Sequence, residues 1–92
     1  MANIFLLEDD RILSKGISIA LEKDGHIVTA VYGYTEALQK YQNRKYDLFL
    51  LDINLPDGSG MEFCKKIRET AETPILFLTA NDTEQDMRLE ER

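Results

Sequence analysis

Four carboxylates stand where a parallel sheet would gather chemistry. Glu8, Asp9 and Asp10 follow the apolar run Ile4 to Leu7, and Asp52 closes the run Leu48 to Leu51. Ligands of parallel α/β sheets bind beyond the carboxyl ends of the strands. If these two strands are neighbours, their axes lie roughly 4.8 Å apart, close enough for Asp9 and Asp52 to share one ion. Such a cluster repels itself and raises the pKa of at least one member, and a hard divalent cation relieves the repulsion. Mg²⁺ suits this set, because it takes oxygen ligands and accepts one or two protein carboxylates beside a phosphate oxygen. Asp52 beside Mg²⁺ then has a second role as a nucleophile that forms an aspartyl phosphate, the metal neutralising charge on the transferred group. Thr79, after the run Ile75 to Leu78, adds a hydroxyl on the same edge. Any one of these acids reads equally well as solvated or capping, Asp10 first among them as a helix cap.

The segment after Asp52 tips the balance for the set. Asp52-Ile53-Asn54-Leu55-Pro56-Asp57-Gly58-Ser59-Gly60 places a proline, a turn-type Asp-Gly and a second glycine directly behind the acid, a tight loop that can present a main-chain carbonyl, that of Asn54, to a metal.

The elements that must hold these residues alternate along the chain. Three consecutive apolar runs suit strands buried on both faces of a parallel sheet, and Ile27 to Val31 is a more mixed fourth. Between them, Leu13, Ile17, Ala20 and Leu21 share a helical stripe, with Asp10 as cap and Gly25 as terminator. A second helix is expected from about Thr35 to Asn43, with Ala37, Leu38 and Tyr41 inward. A third is expected from about Ser59 to Thr70, with Phe63, Cys64 and Ile67 inward. Pro74 separates it from the last apolar run. This order implies right-handed crossovers and a parallel sheet with helices on both faces. The remaining stretch, 81–92, reads as a helical tail with little to bury, since only Met87 and Leu89 are apolar before the chain stops at Arg92.

Composition sets bounds. The 92 residues carry 17 acidic and 11 basic side chains, a formal charge of −6, and 43% are apolar, which fits one small globular domain. Apolar runs of four residues are far short of the roughly 20 that span a bilayer, and the N-terminus has no signal-peptide pattern, so no membrane association is expected. The lone Cys64 cannot form an internal disulfide and fits the cytoplasm. The acidic balance argues against direct nucleic-acid binding by this chain, since Arg44-Lys45 and Lys65-Lys66 are isolated pairs.

Three blocks in order, Phe5 to Asp10, Asp47 to Gly60 and Pro74 to Ala80, resemble the receiver domain of two-component response regulators, and their wording is closest to regulators with winged-helix output domains. The resemblance implies a flavodoxin-like (CheY-like) fold, with residues 1–80 as the matched core. It also implies Asp52 as phosphoacceptor, Glu8, Asp9 and Asp52 around Mg²⁺ with the Asn54 carbonyl, Thr79 as the switch hydroxyl, Ala80 as the small residue beside the phosphoryl group, and a histidine kinase as partner. The match stops short of a full receiver. The fifth strand with its terminal lysine and the fifth helix are not found, so residues 1–92 read as a partial receiver whose phosphorylation is impaired. Its fourth strand would then be an open edge inviting self-association or fragment complementation.

A receiver is a phosphoacceptor and not an enzyme in the turnover sense. Two rivals keep the same residues: an assembly or folding fragment with an idle phosphorylation site, and a Mg²⁺-dependent phosphotransferase with an aspartyl intermediate. Enzymes of the haloacid dehalogenase kind place a second Asp where this sequence has Asn54. Cys64 reads as a packed thiol, and His26 as a solvated residue at a strand entrance.

Overall fold

A computed structural model describes residues 1–42, 44–81 and 86–91, with 79–81 and 86–91 as backbone alone. The elements are β1 (Asn3–Leu7), α1 (Arg11–Lys23), β2 (Ile27–Val31), α2 (Tyr34–Tyr41), β3 (Leu48–Asp52), β4 (Asn54–Leu55), β5 (Gly58–Ser59), α3 (Gly60–Arg68), β6 (Ile75–Asn81) and β7 (Asp86–Glu91). The main sheet runs β2-β1-β3-β6-β7, and β4 with β5 forms a separate antiparallel pair. Strands β2, β1, β3 and β6 are parallel, in the register Leu7↔Val31, Leu7↔Leu51 and Asp52↔Leu78.

Strand alternation splits the apolar runs between two faces. Phe5, Leu7, Phe49, Leu51, Ile75 and Phe77 pack with Ala37 and Tyr41 of α2 and Phe63, Cys64 and Ile67 of α3. Ile4, Leu6, Leu50 and Leu78 meet Ile17 and Leu21 of α1 on the other face. The larger side is an aromatic nest: Phe5 stacks on Phe63 at 5.4 Å, and Tyr46 meets Phe5 edge-on at 5.1 Å. Such contacts add about 0.5–1.5 kcal/mol per pair beyond burial.

Local signals set the helix bounds. Asp10 caps α1, its carboxylate accepting from the N–H groups of Ile12 and Leu13, and Gly25 follows the helix at φ 89°. Ser59 caps α3 by accepting from the Met61 N–H at 3.1 Å. Helix α2 is shorter than the spacing suggests, because Gln42 turns left-handed at φ 36°. Leu38, expected inward, is 37% exposed, and Ala20 also faces out. The inner stripe of α1 instead includes Ser14, which is 1% exposed.

The last segment departs most from expectation. Residues Asp86–Glu91 form a strand, not part of a helical tail, and pair antiparallel with β6 from Leu76↔Glu91 to Asn81↔Asp86. The reason lies in the main chain. An unpaired β6 edge would leave a row of N–H and C=O groups open, and a polar segment satisfies them without needing a buried helical stripe. Met87 and Leu89 are two residues apart, the strand period, and lie opposite Ala80 and Leu78. The fifth position of the sheet is therefore filled, though in the reverse direction to a parallel receiver strand. The edge proposed for self-association through β6 is covered, and β7, with Asp86, Arg88, Glu90 and Glu91 in its sequence, is the new edge. Charges along an edge oppose further pairing.

Candidate metal and phosphoacceptor site

The register of β1 and β3 builds the site. Leu7 stands beside Leu51, so the next residues, Glu8 and Asp52, emerge together at the carboxyl edge. Glu8 stays extended because its N–H continues the ladder to the Val31 carbonyl at 3.1 Å. Its side chain is 5% exposed and accepts from the Asp10 N–H at 3.0 Å. Carboxylate oxygens of Glu8, Asp9 and Asp52 lie within 4.8 Å of one another, with Asp9 at the surface and Asp52 half-buried. Oxygens on opposite sides of a Mg²⁺ octahedron are about 4.2 Å apart, so this hard-donor set fits the ion with little closure.

The electrostatics agree with the geometry. Burial, the hydrogen bond with Asp9 and the charges of Glu8 and Asp9 push the Asp52 carboxyl up to about 7, against one opposing N–H bond from Asn54. Burial also raises Glu8, partly offset by the Asp10 N–H. Each carboxylate raises the cost of charging the next, and a cation reverses that sign.

Asn54 reaches the site by its N–H, which donates to Asp52. Thr79 and Ala80 lie in β6 just past Leu78, which pairs with Asp52, so their backbone stands at the correct edge. Their side chains fall outside the described residues. Asp10 is the cap it was read to be.

The loop behind Asp52 is locked by close approaches. A Cβ on Gly60 would run into the Asp52 carbonyl, and the Gly60 N–H donates to the Ile53 carbonyl at 2.8 Å. Asp57, read from sequence as a turn residue, accepts from the N–H groups of Tyr34 at 2.7 Å and Thr35 at 3.1 Å. Those bonds hold its carboxyl below the usual range. The available signal was indirect: Gly33, at the start of α2, has no side chain to cap with. Arg11 was also missed. Its guanidinium lies 4.0 Å from the Tyr32 ring centre, on the carboxyl edge where α1 begins and β2 ends.

The other conspicuous residues stand apart. Cys64 is buried in the core. His26 is half-buried, its Nδ1 accepting from the Ala2 N–H at 3.1 Å. A cavity of about 330 Å³, lined by Tyr41, Arg44, Tyr46, Phe49 and Thr73 among others, opens at the amino edge, the opposite end of β3 from Asp52.

Residues 4–90 match the family model of the response regulator receiver domain. The response regulator ArlR of Staphylococcus saprophyticus is 36% identical over 86 residues, 94% of this chain and 39% of the relative, so the chain spans well under half of that protein. Among solved structures, response regulator TrrA of Thermotoga maritima in complex with Mg²⁺-BeF superposes with a TM-score of 0.80 at 29% identity, covering 92% of this chain and 75% of that one. A complex of histidine kinase ThkA with TrrA gives a TM-score of 0.78 at 31% identity, covering 87% of this chain and 70% of that one. Sheet order, the acidic edge and these likenesses converge: the chain belongs to the response regulator receiver domain family.

Proposed function

We propose that this domain is a Mg²⁺-dependent phosphoacceptor, taking a phosphoryl group on Asp52 from a histidine kinase. The observation that carries the reading is the convergence of Glu8, Asp9 and Asp52 within 4.8 Å at the carboxyl edge, with Asp52 raised to about 7. The bound metal would supply charge neutralisation for the transferred group. Glu8 and Asp9 would hold the ion, together with Asp52 and the carbonyl of Asn54. An Asp52 oxygen forms the new P–O bond while the P–N bond of a phosphoimidazole breaks, its electron pair returning to the imidazole. Thr79 gives its hydroxyl to the phosphoryl oxygens, and Ala80 leaves them room.

The kinase partner is supported by the ThkA–TrrA complex, and the metal by the Mg²⁺-BeF state of TrrA. The domain acts as a signalling module, with one transfer per phosphorylated state and no turnover of a small substrate. The same reading places it in the cytoplasm, where a reducing environment suits the buried, unpaired thiol of Cys64. The test is incubation with a phosphoimidazole or acyl phosphate donor, followed by intact mass. A gain of one phosphoryl group is expected with Mg²⁺, and none with chelator or in Asp52→Asn. Equal uptake by Asp52→Asn overturns the assignment.

A further inference from the structure

The eight residues between Asp52 and Met61 have little ladder of their own: β4 and β5 pair only at Asn54↔Ser59 and Leu55↔Gly58. Yet this loop supplies the Asn54 N–H that donates to Asp52. Its position is therefore set by what it leans on. One support is Gly60 against β3. The other is α2, reached through Asp57, whose two oxygens take the N–H groups of Tyr34 and Thr35 at 2.7 and 3.1 Å. These are the open donors of the first turn, and a carboxylate there also meets the positive end of the helix. Next to it, a Cβ on Gly58 would stand 2.6 Å from the Tyr34 ring, so glycine lets the loop lie against that side chain. Tyr34 in turn meets Phe63 edge-on at 6.5 Å, which ties the contact into the core.

We propose that Asp57 is a positioning residue: by capping α2 from the loop, it holds Asn54 against Asp52 and so sets the affinity of the site for Mg²⁺. This rests on Glu8, Asp9 and Asp52 being a Mg²⁺ site, as argued above. Asp57 is not among the three clustered carboxylates, so it acts through the loop. The start of α2 thereby becomes mechanically joined to the phosphoacceptor edge, and anything that shifts one shifts the other.

Capping and positioning are separable, because Gly33 is the N-cap of α2, has extended backbone at φ −158°, and faces Asp57. In Asp57→Ala the space a Gly33 Cβ would share with the Asp57 carboxylate is vacated, so Gly33→Ser can return a local cap without returning the loop contact. Three chains are compared, wild type, Asp57→Ala and Gly33→Ser/Asp57→Ala, by thermal midpoint, by calorimetric titration with MgCl₂, and by amide exchange at Asn54 without metal. Asp57→Ala is expected to weaken Mg²⁺ binding about tenfold, the scale of lost outer-shell contacts, and to speed exchange at Asn54. The double variant is expected to recover the midpoint but neither the affinity nor the Asn54 protection. Recovery of all three with the local cap, or unchanged affinity and exchange in Asp57→Ala, overturns the proposal. If wild type itself binds no Mg²⁺, the metal reading fails, while the Asn54 exchange comparison still decides the positioning role.

Discussion

At the scale of single residues, Asp52 carries a cost that its chemistry explains. Its carboxyl, ordinarily near 3.8, is held at about 7 by burial and by the acids beside it. A raised folded pKa means that the metal-free fold binds a proton the unfolded chain has released. Stability is then greatest below about pH 4 as far as this group is concerned, and is lost as pH rises through 7. Asp52→Asn removes the penalty. Metal-free Asp52→Asn is expected to be more stable than wild type by about 1–2 kcal/mol at pH 8, after allowance for solvent screening at a half-buried group, and no more stable at pH 4. Urea denaturation at the two pH values measures this. The same proton competes with metal, so Mg²⁺ affinity is expected to rise with pH up to about 7 and then level, as calorimetry across that range would show. The acids themselves were legible in the sequence because each follows an apolar run that must be a strand. Asp57 was not, since its partners are 22 and 23 residues away and its own sequence context describes only a turn.

At the scale of elements, the β3–α3 connection is where spacing is least forgiving. Gly60 opens α3 directly against the Asp52 carbonyl, so any side chain there must displace the backbone that carries Asp52. Gly60→Ala is expected to cost roughly 2–3 kcal/mol in urea unfolding and to weaken Mg²⁺ binding with it, because backbone cannot yield as a flexible side chain can. Periodicity located α1 and α3 well: the inward positions Phe63, Cys64 and Ile67 are buried, the expected cap Asp10 is made, and Ser59, expected only as the approximate start of α3, caps it. It fared worse for α2, where one left-handed residue, Gln42, ends the helix at Tyr41 and Leu38 turns partly outward. Nor does a hydrophobic stripe foresee a buried serine such as Ser14, which is small enough for close helix-to-sheet packing.

At the scale of the whole molecule, four parallel strands were readable because each is an unbroken or nearly unbroken apolar run, and their common direction follows from the crossovers between them. Their order, β2-β1-β3-β6, was open in the sequence beyond the conditional pairing of β1 with β3, because it depends on packing between distant segments. The fifth was not. Strand β7 is polar, and its reason for forming is the open main chain of β6, a property of the assembled sheet that no local pattern displays. If β7 protects that edge, a proline inside it should undo the protection. Leu89→Pro, opposite Leu78, is expected to speed amide exchange along β6 at least tenfold while leaving β1 and β2 slow. Uniform exchange in the variant would mean that β7 contributes nothing local. The acidic excess noted in composition likewise acquires a place in part, since Glu8, Asp9 and Asp52 gather at one edge of one sheet. The central claim is that this edge makes Asp52 the phosphoacceptor, and its most direct test is to find the modified atom. After reaction with a phosphoimidazole donor and Mg²⁺, borohydride reduction and peptide mapping should place homoserine at position 52 and at no other acid. Label at Asp9, Asp57 or elsewhere, or label at position 52 that is indifferent to Mg²⁺, would contradict the account.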